Sequence, residues 1–115
     1  MAATGPTSLA SEWRPFQAGA IVLLSLHSPR EKFWGVLLAI DPAGVSVRGI
    51  DLASFDETTS MIRHGETASC STLFFPMHRV ERVEIDSQTD GVPSLTQRFR
   101  ERTGVDPMTI LSPTE

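Results

Sequence analysis

Five short apolar segments, separated by turn-forming residues, constrain the fold of this chain more than any other feature. Each is rich in Ile, Val, Leu or Phe and too short for a typical helix, which is the pattern of β-strands. We predict strands over residues 20–27, 32–40, 45–52, 70–75 and 79–86. Because the tight turn Asp41–Gly44 separates the second strand from the third, the first three strands should form an antiparallel meander.

The fifth segment carries a signal for curvature. Val80, Val83 and Ile85 break strict alternation by one residue across Glu81 and Arg82. Such a break indicates a β-bulge, which bends a strand and increases its twist. We therefore predict a mainly β fold, a five-stranded, strongly bent small barrel of the SH3-like kind.

Two segments have the pattern of helix starts. The run Ser94–Gln97 is a capping box, and Gly104 is well placed to end the helix that follows it, so we predict a C-terminal α-helix. The run Ser54–Glu57 also fits a capping box, which favours a short helix through Ile62 in the loop between strands 3 and 4. Its hydroxyl-rich middle is equally compatible with an irregular loop.

The chain of 115 residues is long enough for one domain. Residues 1–12 are small and polar, so we expect a disordered tail there. We place a single small-barrel domain with its C-terminal helix over residues 13–104. Because Pro107 and Pro113 interrupt the remainder, we expect residues 105–115 to be a loose tail.

The segment from Gly19 to Asp86 resembles the Sm-like family, to which the bacterial RNA chaperone Hfq belongs. The residues that carry the first motif are Gly19, Val22, Leu24, Gly35, Leu37, Ile40, Asp41, Val45 and Val47. The second motif is matched in shape by Leu73–Phe75, a short connection through Pro76–His78, and the strand Val80–Ile85. The resemblance implies a barrel whose subunits assemble into rings through their strand edges, and RNA as an alternative partner.

Charge and cysteine content limit the classes of function. The net charge of −4 argues against nucleic-acid binding driven by overall charge, although a local basic patch is compatible with it. The single cysteine, Cys70, excludes an intrachain disulfide and suits a reducing compartment, so we expect a cytoplasmic protein. The most apolar run, residues 18–26, is too short to span a bilayer, and we expect no membrane association.

Paired aromatic residues are the most informative surface signal. Neighbouring strand residues point to opposite faces, so one member of Phe33-Trp34 and one of Phe74-Phe75 should face away from the barrel interior. These four residues are our candidate interface. The outward members are covered either by the C-terminal helix, by the segment Trp13–Phe16, or by a partner subunit.

Residues that carry catalytic or metal chemistry form no recognisable motif. Cys70 and His64 are compatible with an activated nucleophile, but Cys70 begins an apolar strand and is better interpreted as a core residue. The three histidines lack metal-ligand spacing, and the acidic residues Asp51, Asp56 and Glu57 are better interpreted as a solvated loop. We assign no catalytic residue, no metal and no cofactor, and expect a protein that is not an enzyme.

Basic residues offer a second type of site. His78, Arg79 and Arg82 are the candidate nucleic-acid contacts, at the pore or rim of a ring. The predicted C-terminal helix carries further basic residues, Arg98, Arg100 and Arg102, but acidic residues alternate with this set, which favours a salt-bridged surface.

The preferred function from sequence is a non-enzymatic binding or assembly module. It would associate with itself or dock a protein partner through aromatic surface and an added strand at the fourth or fifth strand. Sequence-tolerant RNA binding is the second hypothesis. A small enzyme using Cys70 and His64 is the third.

Overall fold

The computed structural model describes residues 14–112 and contains one antiparallel sheet with three helices. The strands are β1 (Ile21–Leu26), β2 (Glu31–Asp41), β3 (Gly44–Asp51), β4 (Ser71–Pro76) and β5 (Val80–Ile85). The helices are α1 (Phe55–Arg63), α2 (Leu95–Thr103) and α3 (Met108–Leu111). Short 3-10 turns at Leu52–Ser54 and Met77–Arg79 precede α1 and β5.

The strands lie in the order β4-β3-β2-β1-β5, so the chain makes a four-stranded meander and then returns to place β5 beside β1. The predicted mainly β fold with five strands is therefore confirmed. Within residues 14–112 no backbone ladder joins β4 to β5. Backbone pairing thus leaves the sheet open, with β4 and β5 as its two edges.

Two register shifts bend the sheet. Ser25 pairs with Arg82 while Leu26 pairs with Val80, which leaves Glu81 as the extra residue and confirms the predicted bulge in β5. A second shift, which the sequence pattern did not indicate, lies between Leu37 and Ala39 on β2.

One face of the sheet is filled by side chains from all five strands. Its buried members are Val22, Leu24, Leu26, Phe33, Leu37, Val45 and Val47. Phe75 from β4 and Val83 from β5 pack against this cluster, and the ring of Phe75 meets that of Phe33 edge to face at 5.6 Å. We call this cluster the inner core.

The opposite face is covered by the helices, which form an outer core around Trp34. The indole is fully buried between Phe55 of α1 and Phe99 of α2, at centroid distances of 5.3 and 5.7 Å. Val36 and Ile50 complete the sheet side of the cluster. The covering elements are thus parts of the chain itself, the predicted C-terminal helix together with α1.

Asp86 links the sheet to α2. Its carboxylate accepts hydrogen bonds from the indole Nε1 of Trp34 (3.1 Å), from the backbone amides of Leu95 (2.9 Å) and Thr96 (2.7 Å), and from the Thr96 hydroxyl (2.7 Å). A negative charge suits these unpaired amides because the N-terminus of a helix carries a partial positive charge. The same side chain therefore fixes α2 and satisfies the buried indole.

The two helix-start patterns have different outcomes. Around α2 both hydrogen bonds of the capping box form, and Gly104 ends the helix in the left-handed conformation with φ +77°. The short helix after β3 also forms, as α1, but the Ser54 side chain makes no capping bond. Asp51 instead accepts from the amide of Ala53 and holds the preceding 3-10 turn.

The prediction of a loose tail from residue 105 is wrong for residues 105–112. Pro107 and Leu111 are fully buried, and Leu111 belongs to the outer core. The Asp106 carboxylate accepts from the amide of Met108 at 2.8 Å, so an Asp-Pro pair starts α3. Residues 1–13 and 113–115 lie outside the described residues, and so do the predicted tail 1–12 and Trp13.

Candidate interaction surface at the edge of the sheet

The β4 edge is the most exposed part of the sheet. Residues Ser71 to Phe74 are all exposed, and Leu73 and Phe74 leave 39% and 52% of their surface open to solvent. Exposed large apolar side chains on an unpaired strand favour association, and natural proteins usually protect such edges. This strand is therefore the first candidate for a binding surface.

The direction of the β4 backbone groups follows from the ladder with β3. The amide of Met77 donates to the carbonyl of Ala43 at 2.9 Å, one position beyond the pair Gly44 and Pro76. Bonded and non-bonded pairs alternate in an antiparallel ladder, so the amides of Leu73 and Phe75 point to β3. Those of Thr72 and Phe74 point to the free edge.

A groove of about 530 Å³ runs beside β4 and separates it from α1. Its apolar surface comes from Phe33, Leu73 and Phe75 on the sheet and from Met61 on α1. The groove lies on the side to which Leu73 and Phe75 project. A strand added to β4 would send alternate side chains to this same side.

Three carboxylates line the groove: those of Glu31, Asp51 and Glu57. Glu31 pairs with Arg79 at 3.2 Å, and one oxygen of Asp51 accepts from Ala53. Across residues 14–112 Glu57 makes no side-chain hydrogen bond or ion pair, and no basic side chain lines the groove. The groove thus has a mixed lining, in which apolar side chains lie beside three carboxylates and several hydroxyl groups.

The four candidate interface aromatics are divided between core and surface. Phe33 and Trp34 are buried in the inner and outer cores, respectively; Trp34 offers no surface to a partner, whereas Phe33 is 5% exposed and lines the groove. Phe75 is half-buried against the inner core, whereas Phe74 is exposed. The sheet has a core on each face, so Trp34, the member of its pair that faces away from the inner core, lies under α1 and α2. Cover by the C-terminal helix is one of the alternatives stated above for the outward aromatic residues.

One of the three candidate nucleic-acid contacts, Arg79, is engaged within the chain, and the other two, His78 and Arg82, are exposed. Arg79 donates to the carbonyls of His27 (3.0 Å) and Pro29 (2.8 Å) and pairs with Glu31, so its guanidinium holds the turn between β1 and β2. Arg82 pairs with Glu84 at 2.7 Å and stays well exposed, as does His78. Arg79 therefore has a structural role in this chain, because its guanidinium group is used to hold the turn.

The basic residues of α2 follow the salt-bridged pattern. Arg102 forms an ion pair with Asp56 of α1, and Arg100 pairs with Asp106 at 3.2 Å. Arg98 and Arg102 also lie over the ring of Phe55, at 5.7 and 5.6 Å from its centroid. These cations bind the helices to each other.

Cys70 has the properties of a half-buried thiol. Burial raises the pKa of Cys70, and the positive charge of Arg48 opposes that effect only in part. The Nδ1 atom of His64 lies 2.8 Å from the carbonyl oxygen of Ser60, at the end of α1. A raised pKa is the opposite of what activates a cysteine nucleophile.

The three acidic residues that the sequence analysis assigns to a solvated loop do not lie close together. Asp51 and Glu57 line the groove, whereas Asp56 faces Arg102, which lowers its pKa through a hydrogen bond and its charge. Across residues 14–112 no three histidine, cysteine or acidic side chains are grouped as metal ligands.

Helices within residues 14–112 also lack the length and apolar character needed to cross a membrane.

Sequence reasoning missed the groove. It forms between α1 and β4, where Met61 and Glu57 line the same groove as Leu73, and no local motif encodes that arrangement. Comparisons of the chain with protein-family models, with curated proteins and with solved structures find no match.

Proposed function

We propose that this protein is a non-enzymatic binding or assembly module that accepts an additional β-strand at the edge of β4. The strand comes from a second copy of the chain or from a protein partner. The observation that carries the proposal is the free edge of β4. The backbone amides of Thr72 and Phe74 point away from β3 there, and the apolar side chains of Leu73 and Phe74 are exposed. Main-chain hydrogen bonds supply affinity in this mode of recognition, and pockets for alternate side chains supply specificity.

We further propose that the sheet is an Sm-like bent barrel. Its strand order, its bulge in β5 and an inner core with contributions from all five strands support this relationship. If the added strand came from a second copy, β5 of one copy would pair with β4 of the next, because these are the two free edges.

Blocking a single outward amide tests the function. Thr72→Pro removes the amide that points to the free edge and leaves the β3 ladder intact, a position where proline is tolerated. Thr72→Val is the matched control, because both variants lose the hydroxyl that accepts from Arg48 at 3.3 Å, while only the proline loses the amide. Thermal unfolding of both variants checks that each is folded.

Two readouts cover both sources of the strand. Native mass is measured by light scattering over a concentration series, and a labelled nine-residue peptide of alternating valine and threonine is titrated by fluorescence anisotropy. We expect the wild type and Thr72→Val to self-associate or bind the peptide, with a loss of at least about tenfold in Thr72→Pro. A folded Thr72→Pro variant that associates as the wild type does, or a wild type that does neither, would overturn the proposal.

A further inference from the structure

We infer that the strand accepted at β4 belongs to a separate protein partner and carries a basic side chain between apolar ones. This inference rests on the proposed function and names the chemistry of the partner. The apolar side chains that line the groove beside β4 supply the apolar contacts, and its carboxylates supply the charge that selects the basic residue.

The apolar part follows from the direction of the β4 side chains. Leu73 and Phe75 project into the groove, and Leu73 is 39% exposed, so the inner core does not cover it. Cross-strand neighbours share a face, so every second side chain of an added strand lies beside Leu73 or Phe75. Apolar side chains at those positions would bury Leu73 together with the free surface of Met61.

The charge follows from the carboxylates that no cation neutralises. Glu57 has no partner among residues 14–112, and Asp51 uses one oxygen for the turn before α1. Burying these groups under a neutral or acidic strand would remove water without replacing its hydrogen bonds. A lysine or arginine on the added strand would replace them with charge-assisted bonds.

A second copy of the chain is a poor fit to these carboxylates. Its free edge, β5, presents Glu81 and Glu84, and its basic residue Arg82 is already paired with Glu84. The apolar residues of β5, such as Val83, pack on their own inner core. Two chains of net charge −4 also repel each other. These charges favour a basic segment from another protein.

The experiment uses two labelled nine-residue peptides of alternating valine and threonine, one with arginine at the centre and one with glutamate there. Each is titrated by fluorescence anisotropy into the wild type at about 50 mM and about 500 mM salt. At low salt we expect the arginine peptide to bind about tenfold tighter than the glutamate peptide, and at high salt we expect this difference in affinity to become smaller. The Thr72→Pro variant should bind both peptides more weakly than the wild type does.

Glu57→Gln is the informative variant, because it removes the free charge at nearly constant volume. It should reduce the preference for the arginine peptide by about threefold. Glu101→Gln on α2 is the matched control, since it removes one negative charge from an exposed position that does not line the groove. It should leave the preference unchanged.

The outcomes separate this inference from the proposed function. Equal binding of the two peptides, or an unchanged preference in Glu57→Gln, would overturn the basic partner while strand addition at β4 stands. A wild type that binds neither peptide but forms oligomers sensitive to Thr72→Pro would identify a second copy as the occupant and overturn this inference alone. Neither binding nor self-association would overturn both.

Discussion

Replacing Asp86 tests how the sheet and the helices are joined. In Asp86→Ala the indole Nε1 of Trp34 loses its hydrogen-bond partner inside a fully buried site, which costs about 2 kcal/mol. The amides of Leu95 and Thr96 lose a charged acceptor at the start of α2, which costs about 1 kcal/mol more because water reaches them in part. We therefore expect the free energy of unfolding to fall by about 3 kcal/mol.

The assay is equilibrium urea unfolding followed by circular dichroism and by tryptophan fluorescence. Asp86→Asn should cost less than Asp86→Ala, because the remaining oxygen still accepts from some donors while the new NH₂ group faces another. Glu101→Gln is the control for loss of one negative charge. A loss below about 1 kcal/mol in Asp86→Ala would refute the role given to this carboxylate.

Three further predictions concern the ends of the fold and its titratable groups. Leu111→Ala should lower the free energy of unfolding by about 3 kcal/mol in the same assay, because Leu111 is fully buried in the outer core. A change within error would mean that α3 is peripheral. Asp56 has its pKa lowered by Arg102, so its contribution to stability exists above the ordinary carboxyl pKa and is lost as the pH falls through the lowered value. The difference in stability between wild type and Asp56→Asn should therefore disappear on acidification, and a difference that is constant from neutral to strongly acidic pH would contradict the ion pair. Cys70, with its raised pKa, should be alkylated by iodoacetamide more slowly than a cysteine in an unfolded peptide at pH 8, and a faster reaction would revive the enzymatic hypothesis.

The strands could be predicted because each is a local pattern. Runs of β-branched and aromatic residues between turns gave all five, and the broken alternation at Glu81 gave the bulge. The helix α2 was equally visible, since both of its ends are marked by residues that satisfy the backbone, Ser94 and Gly104. Local hydrogen bonding and side-chain shape determine these features.

The features that could not be predicted depend on contacts between distant parts of the chain. Burial of Trp34 requires both α1 and α2, and Arg79 holds the β1–β2 turn because the 3-10 turn before β5 places it there. The helix α3 has a local signal, the pair Asp106-Pro107, although Pro107 on its own predicts a break in the chain. The groove had no such signal, because only the tertiary fold places Glu57 and Leu73 along the same groove.

Residue-resolved amide hydrogen exchange tests the central claim, the free edge of β4, most directly. In the dilute chain the amides of Thr72 and Phe74 should exchange quickly while those of Leu73 and Phe75, bonded to β3, are protected. On addition of the arginine peptide, or on self-association, Thr72 and Phe74 should become protected. Protection of these two amides in the dilute chain, or continued fast exchange once a partner is bound, would contradict strand addition at β4.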